Sequence, residues 1–140
     1  MTEPRPQAAT APGSTKHVLC IEDEHFISEL YVRALTRGGY RVDVELDGQK
    51  GLVKAQTDTY DIILLDLMVP NLDGIEILRT LRDPTKTPPL KAKVIIITNL
   101  EQREEVRADI EKQADGYLVK AEITPHELVD ILDNLNLTQD

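Results

Sequence analysis

The sequence predicts an α/β fold, a doubly wound parallel sheet of five strands, and three observations carry that prediction. Short apolar runs alternate with amphipathic stretches along most of the chain. The central runs are apolar at every position and rich in β-branched residues, which suits parallel strands covered on both faces. Glycine, proline and capping residues mark the boundaries between the two kinds of segment. Alternation of this kind predicts right-handed crossovers between parallel neighbours.

Residues 1–15 (MTEPRPQAATAPGST) hold three prolines, a glycine and no large aliphatic side chain after Met1. Such a segment buries too little surface to offset the entropy of ordering it, so a disordered tail is expected. The first strand is HVLCI (17–21), followed by a helix over 25–37. Phe26, Leu30 and Ala34, with Ile27 alongside, are the expected apolar stripe of that helix. Gly38-Gly39 closes it. The second strand, RVDVE (41–45), is half polar, as expected near a sheet edge, and a helix over 48–57 follows. IILL (62–65) is the third strand, and the helix over 73–83 stops where Pro84 pushes Asp83 out of the α region. VIII (94–97) is the fourth strand. The helix over 101–112 is heavily charged around a Val106/Ile110 pair. GYLV (116–119) is the fifth strand, again half polar. The last helix spans 124–135, opened by Thr124 as a cap and Pro125 at its first position. It lays Leu128, Ile131, Leu132 and Leu135 along one stripe. The domain is read as 16–137, with 138–140 a short tail and no output domain expected after it.

The bulk composition narrows the function. The 140 residues carry 16 basic and 25 acidic side chains, a net charge of −9. Nucleic-acid affinity rests on Lys and Arg neutralising phosphates, so no nucleic-acid partner is expected. The same balance opposes docking on anionic membranes. No apolar stretch approaches the ~20 residues that span a bilayer, and the N-terminus has no signal-peptide core, so a cytoplasmic location without membrane insertion is expected. The single Cys20 lies inside an apolar run and reads as a buried, inert thiol. His17, His25 and His126 lack metal-ligand spacing and read as structural or solvated.

In open α/β sheets, ligands collect at the carboxyl ends of the strands. Glu22, Asp23 and Glu24 follow the first strand here, Asp66 the third, Thr98 the fourth and Lys120 the fifth. Three like charges are an expensive way to turn a chain. Carboxylates brought together from two strands make a hard oxygen site for Mg²⁺, which takes one or two carboxylates with water and phosphate oxygens. A hydroxyl and an ammonium beside it are what a transferred phosphoryl group needs around its oxygens.

Over roughly residues 16–137 the chain resembles the receiver domain of two-component response regulators. The resemblance rests on Glu22-Asp23 with Glu24, on Asp66 with MVPNLDG downstream, on Thr98, and on Lys120 with Tyr117 three before it. It implies a flavodoxin-like fold with strand order 2-1-3-4-5. It further implies that Asp66 accepts the phosphoryl group from a histidine kinase or phosphotransfer protein. By the same resemblance Asp23, Asp66 and the backbone carbonyl of Met68 hold Mg²⁺, with Glu22 acting through water. Thr98 and Lys120 contact the phosphoryl oxygens, Thr98 and Tyr117 form the switch, and Met68 and Leu100 tune dephosphorylation. A downstream protein partner, not named by the sequence, is expected on the last two helices and the strand between them.

Four features depart from that pattern. Asn99 stands where a small residue is usual and is expected to crowd the site. Ala121 stands where the family usually has a proline after a cis bond, so either strain is stored there or Lys120 sits differently. The loop 83–93 is long, with three lysines and three prolines, and no further domain is expected after the last helix. The first two keep open a pseudo-receiver that binds without effective phosphorylation. A Mg²⁺-dependent phosphohydrolase using Asp66 wants a second aspartate two positions on, where Met68 stands. A flavodoxin-like cofactor binder would need a phosphate cradle where three carboxylates stand.

Overall fold

Strands and helices alternate without exception in the computed structural model, which describes residues 15–135. The tails expected at 1–15 and 138–140 lie outside the described residues, Thr15 apart. The order is β1 (His17–Ile21), α1 (His25–Arg37), β2 (Arg41–Glu45), α2 (Gly48–Ala55), β3 (Ile62–Leu65), α3 (Gly74–Arg82), β4 (Lys93–Thr98), α4 (Glu104–Gln113), β5 (Gly116–Val119) and α5 (Pro125–Asp133). The five strands form one parallel sheet in the order β2-β1-β3-β4-β5. The chain order reverses beside β1, which opens the crevice where such sheets bind ligands.

Because side chains alternate along a strand, the central strands feed two cores. Leu19, Ile21, Ile63, Leu65, Val94 and Ile96 face α2, α3 and α4. Val18, Cys20, Ile62, Leu64, Ile95 and Ile97 face α1 and α5. Burial pushes the Cys20 thiol up to about 12, which fits an inert packing group. The edge strands β2 and β5 are only partly buried, as their polar residues predict.

The buried face of α1 differs from the expected stripe. Ser28, Tyr31 and Leu35 are buried, while Phe26 is 72% exposed. The true stripe is turned by about one residue, so Ile27 and Ser28 of the first turn face inward and Phe26 faces outward. At the other end of α1, Gly39 takes φ +99° and lets the chain turn into β2. In α5 the Thr124 hydroxyl accepts from the Glu127 N–H while the Glu127 carboxylate accepts from the Thr124 N–H, a closed capping box. The loop 83–93 is built into the fold at the end of the sheet opposite the acidic cluster. Buried Thr87 donates to the Thr80 carbonyl, and the Gln56 amide donates to the Thr87 hydroxyl.

Candidate functional site

The site is made by chain ends of the sheet, where backbone direction is fixed by the ladder and side chains are free to converge. Glu22 N–H donates to the Glu45 carbonyl and Asp66 N–H to the Ile21 carbonyl, so both carboxylates are placed by strand pairing that runs one residue past the strands. Glu22, Asp23 and Asp66 each bring a carboxylate oxygen within 4.8 Å of the others. Glu22 and Asp66 are buried and Asp23 is exposed. The Asp66 Oδ1 accepts from the Met68 N–H at 3.0 Å, and the Glu22 Oε2 accepts from the Glu24 N–H at 3.1 Å.

Lys120 closes the cluster from the far side. Its ammonium donates to Asp66 Oδ2 at 2.7 Å and lies 2.6 Å from Glu22 Oε1 and 3.4 Å from Glu24 Oε1. The side chain is only 8% exposed. Burial works against the ammonium, but the bonds and charges of Asp66 and Glu22 outweigh it and raise its pKa. Burial also dominates at Glu22, raising its pKa more than the nearby ammonium lowers it, with the Asp66 charge adding to the rise. Loss of water is a larger cause of the rise than the crowding of like charges.

Thr98 ends β4 and is buried, its hydroxyl accepting from the Leu100 N–H at 3.1 Å. The pairing of Leu65 with Ile96 sets Thr98 at the same sheet end as Asp66. Tyr117 pairs with Ile96, which places it diagonally from Thr98 on the same face. The Arg107 guanidinium lies 4.3 Å from the centre of the Tyr117 ring. That contact was not legible beforehand, since it needs α4 laid against β5.

Two departures resolve together. The Asn99 side chain is tied to the other: its Oδ1 accepts from the Ala121 N–H at 2.8 Å. The described residues contain no cis peptide bond, and Lys120–Glu122 form a single 3₁₀ turn from which Lys120 still reaches Asp66. A sequence signal for this contact exists. Alanine, unlike proline, keeps an N–H, and an asparagine at the facing strand end can accept from it.

The cluster suits Mg²⁺: three hard carboxylates, one of them exposed, bring oxygens within 4.8 Å of one another. The arrangement also provides a fixed carboxylate in contact with a cation, and a hydroxyl at the same sheet end, groups that phosphoryl transfer uses.

Comparison with known proteins agrees. Residues 18–133 match the response regulator receiver domain. The chain belongs to this family. Response regulator ArlR of Staphylococcus saprophyticus is 42% identical over 103 residues, covering 74% of this chain and 44% of that protein. ArlR of Staphylococcus aureus strain Mu50 is 41% identical over 103 residues, covering 74% of this chain and 45% of its own. The chain thus spans less than half the length of these relatives. Among solved structures, the receiver domain of Francisella response regulator 1452 superposes with TM-score 0.73 and 29% identity, over 85% of this chain and 94% of that one. Vibrio cholerae chemotaxis protein CheY4 superposes with TM-score 0.72 and 26% identity, over 87% of this chain and 99% of that one. Receiver domains are signalling domains and not classical enzymes, and they generally bind Mg²⁺. No helix among the described residues is long and apolar enough to cross a membrane.

Proposed function

We propose that this receiver domain takes a phosphoryl group onto Asp66 from a phosphohistidine, carried by a histidine kinase or phosphotransfer protein. The signal then passes to a protein partner through α4, β5 and α5. The observation that carries this reading is the buried Lys120 ammonium held between Asp66 and Glu22. A lysine is drawn into a water-poor site only where negative charge gathers, and a phosphorylated carboxylate is more negative than the one it replaces.

In this reading the Asp66 carboxylate attacks phosphorus as the donor's P–N bond breaks. Its two oxygens are already fixed, one by the Met68 N–H and one by Lys120, so little orientation entropy remains to be lost. Lys120 and the Thr98 hydroxyl receive the phosphoryl oxygens. Asp23, Asp66 and the Met68 carbonyl would hold Mg²⁺, with Glu22 behind a water, and the ion supplies positive charge against those oxygens. When Thr98 turns toward the phosphoryl group it vacates the side of β4 next to Tyr117, whose ring then moves and reshapes the partner face. Response regulators generally act in the cytoplasm, and the proposal places this one there. The net −9 charge keeps nucleic acid out of the domain's own proposed partners.

The pseudo-receiver reading loses its grounds. It rested on Asn99 and Ala121, and these two are bonded to each other while Lys120 stays on Asp66. The test is incubation with Mg²⁺ and acetyl phosphate followed by intact-mass analysis. One added phosphoryl group is expected, absent after Asp66→Asn or in EDTA. Label persisting in the Asn variant would sink the assignment.

A further inference from the structure

We propose that Asn99 is a positioning residue for phosphoryl transfer, fastening the turn that carries Lys120 so that its ammonium is held over Asp66. The proposal rests on the reading above, in which Lys120 receives the phosphoryl oxygens.

The β4–β5 ladder ends at the pair Thr98 and Val119. Lys120 is the first residue past it, at the open end of an edge strand, and its own short turn ends in a long 3.4 Å bond from the Ile123 N–H to the Lys120 carbonyl. A backbone that has left the ladder would let a long side chain sample many positions. Each freely rotating bond of a lysine must be frozen to keep its ammonium on one carboxylate. The Asn99 Oδ1 supplies the missing tether, accepting from the Ala121 N–H at 2.8 Å. The bond joins the residue after Thr98 to the residue after Lys120. Both side chains proposed to receive the phosphoryl oxygens therefore sit one residue before the two ends of this tether.

The donor matters as much as the acceptor. Alanine at 121 offers an N–H that proline lacks, so the two unusual residues are one device and not two defects. Asn99 is exposed and its side chain makes no other hydrogen bond among the described residues, so packing alone does not account for where it points.

The test measures labelling by acetyl phosphate with Mg²⁺ in the full chain, with melting temperature recorded for every variant. Asn99→Ala is expected to slow labelling roughly three- to fivefold, the worth of one solvent-accessible hydrogen bond. Ala121→Pro removes the donor of the same bond. In that background Asn99→Ala is expected to cost nothing further, because the bond it would break is already gone. A side chain that merely packs would cost the same in both backgrounds, and that result overturns the proposal, as does an Asn99→Ala rate equal to the parent's. Should a variant fail to fold, hydrogen exchange at the Ala121 amide in the parent decides: protection supports the tether, and free exchange refutes it. Label on the Asp66→Asn protein would instead overturn the underlying reading of Asp66, which keeps the two failures apart.

Discussion

Met68 stands 56% exposed beside Asp66, two positions past it, while its N–H holds the Asp66 Oδ1. Leu100 occupies the corresponding place two past Thr98, half-buried, its N–H on the Thr98 hydroxyl. Loss of a phosphoryl group from Asp66 needs a water aligned with the breaking bond, and alignment takes a hydrogen-bonding side chain. Met offers only a weak sulfur acceptor and Leu offers nothing. Both backbones are committed to the site; the Met68 side chain is exposed, while that of Leu100 also packs against the core, so its variant is read together with its melting temperature. The phosphorylated protein should therefore decay slowly, and Met68→Asn or Leu100→Glu should hasten decay by about an order of magnitude. Decay of phosphorylated protein after removal of the donor measures this. A parent that decays as fast as either variant would show that these side chains do not set the lifetime.

Among the elements, α3 is held to β3 more tightly than a side chain would permit. A Cβ placed at Gly74 would lie 2.4 Å from the Asp66 carbonyl oxygen and 2.6 Å from the Leu67 Cα. The Gly74 N–H donates to the Leu67 carbonyl at 3.0 Å, so the helix start and the loop carrying Asp66 are one rigid corner. Gly74→Ala should push them apart, costing about 1–3 kcal/mol in melting experiments. It should also slow labelling of Asp66, because the carboxylate travels with the corner; parent-like stability and labelling would mean that the corner yields freely. This corner was legible only in part. Asp73 before Gly74 reads as a helix cap, and its carboxylate does accept from the Glu76 N–H, but the closeness of β3 and α3 needs the third dimension. The apolar runs placed the three central strands, since a run apolar at all positions has one stable home between two helical layers. The stripe of α1 was misplaced for the opposite reason. Periodicity allows a stripe through Phe26 or one through Ile27 and Tyr31, and only the packing of α1 on the sheet shows that the second is buried. The acidic cluster, Thr98 and Lys120 were readable because strand ends gather by topology. Arg107 over Tyr117 was not, because it depends on how two layers come to rest, and Asn99 with Ala121 offered an acceptor and a donor without showing that the two meet.

For the molecule as a whole, the site works against the stability of the domain. A protein of net charge −9 gathers three carboxylates at one end of its sheet and buries two of them. Burial holds the Glu22 pKa above its ordinary 4.5, so this group favours the folded state when protonated. That contribution is complete below pH 4.5 and is lost as pH rises through the higher folded value. At neutral pH the metal-free domain therefore carries a destabilising charge, which Lys120 offsets in part from 2.6 Å away. Mg²⁺ binds the native carboxylates and not the unfolded chain, so it should restore what ionisation costs. At a hundredfold excess over its dissociation constant it adds about 2.7 kcal/mol. For a domain of this size that is a rise of several degrees in melting temperature. Melts at pH 7 with and without millimolar Mg²⁺ measure the effect, and a metal-free series from pH 4 upward measures the titration. Glu22→Gln should flatten the metal-free series, because the amide cannot ionise. A melting temperature unmoved by Mg²⁺ would mean that the cluster is not a preformed cation site. A Glu22→Gln series as steep as the parent's would mean that the cost arises elsewhere.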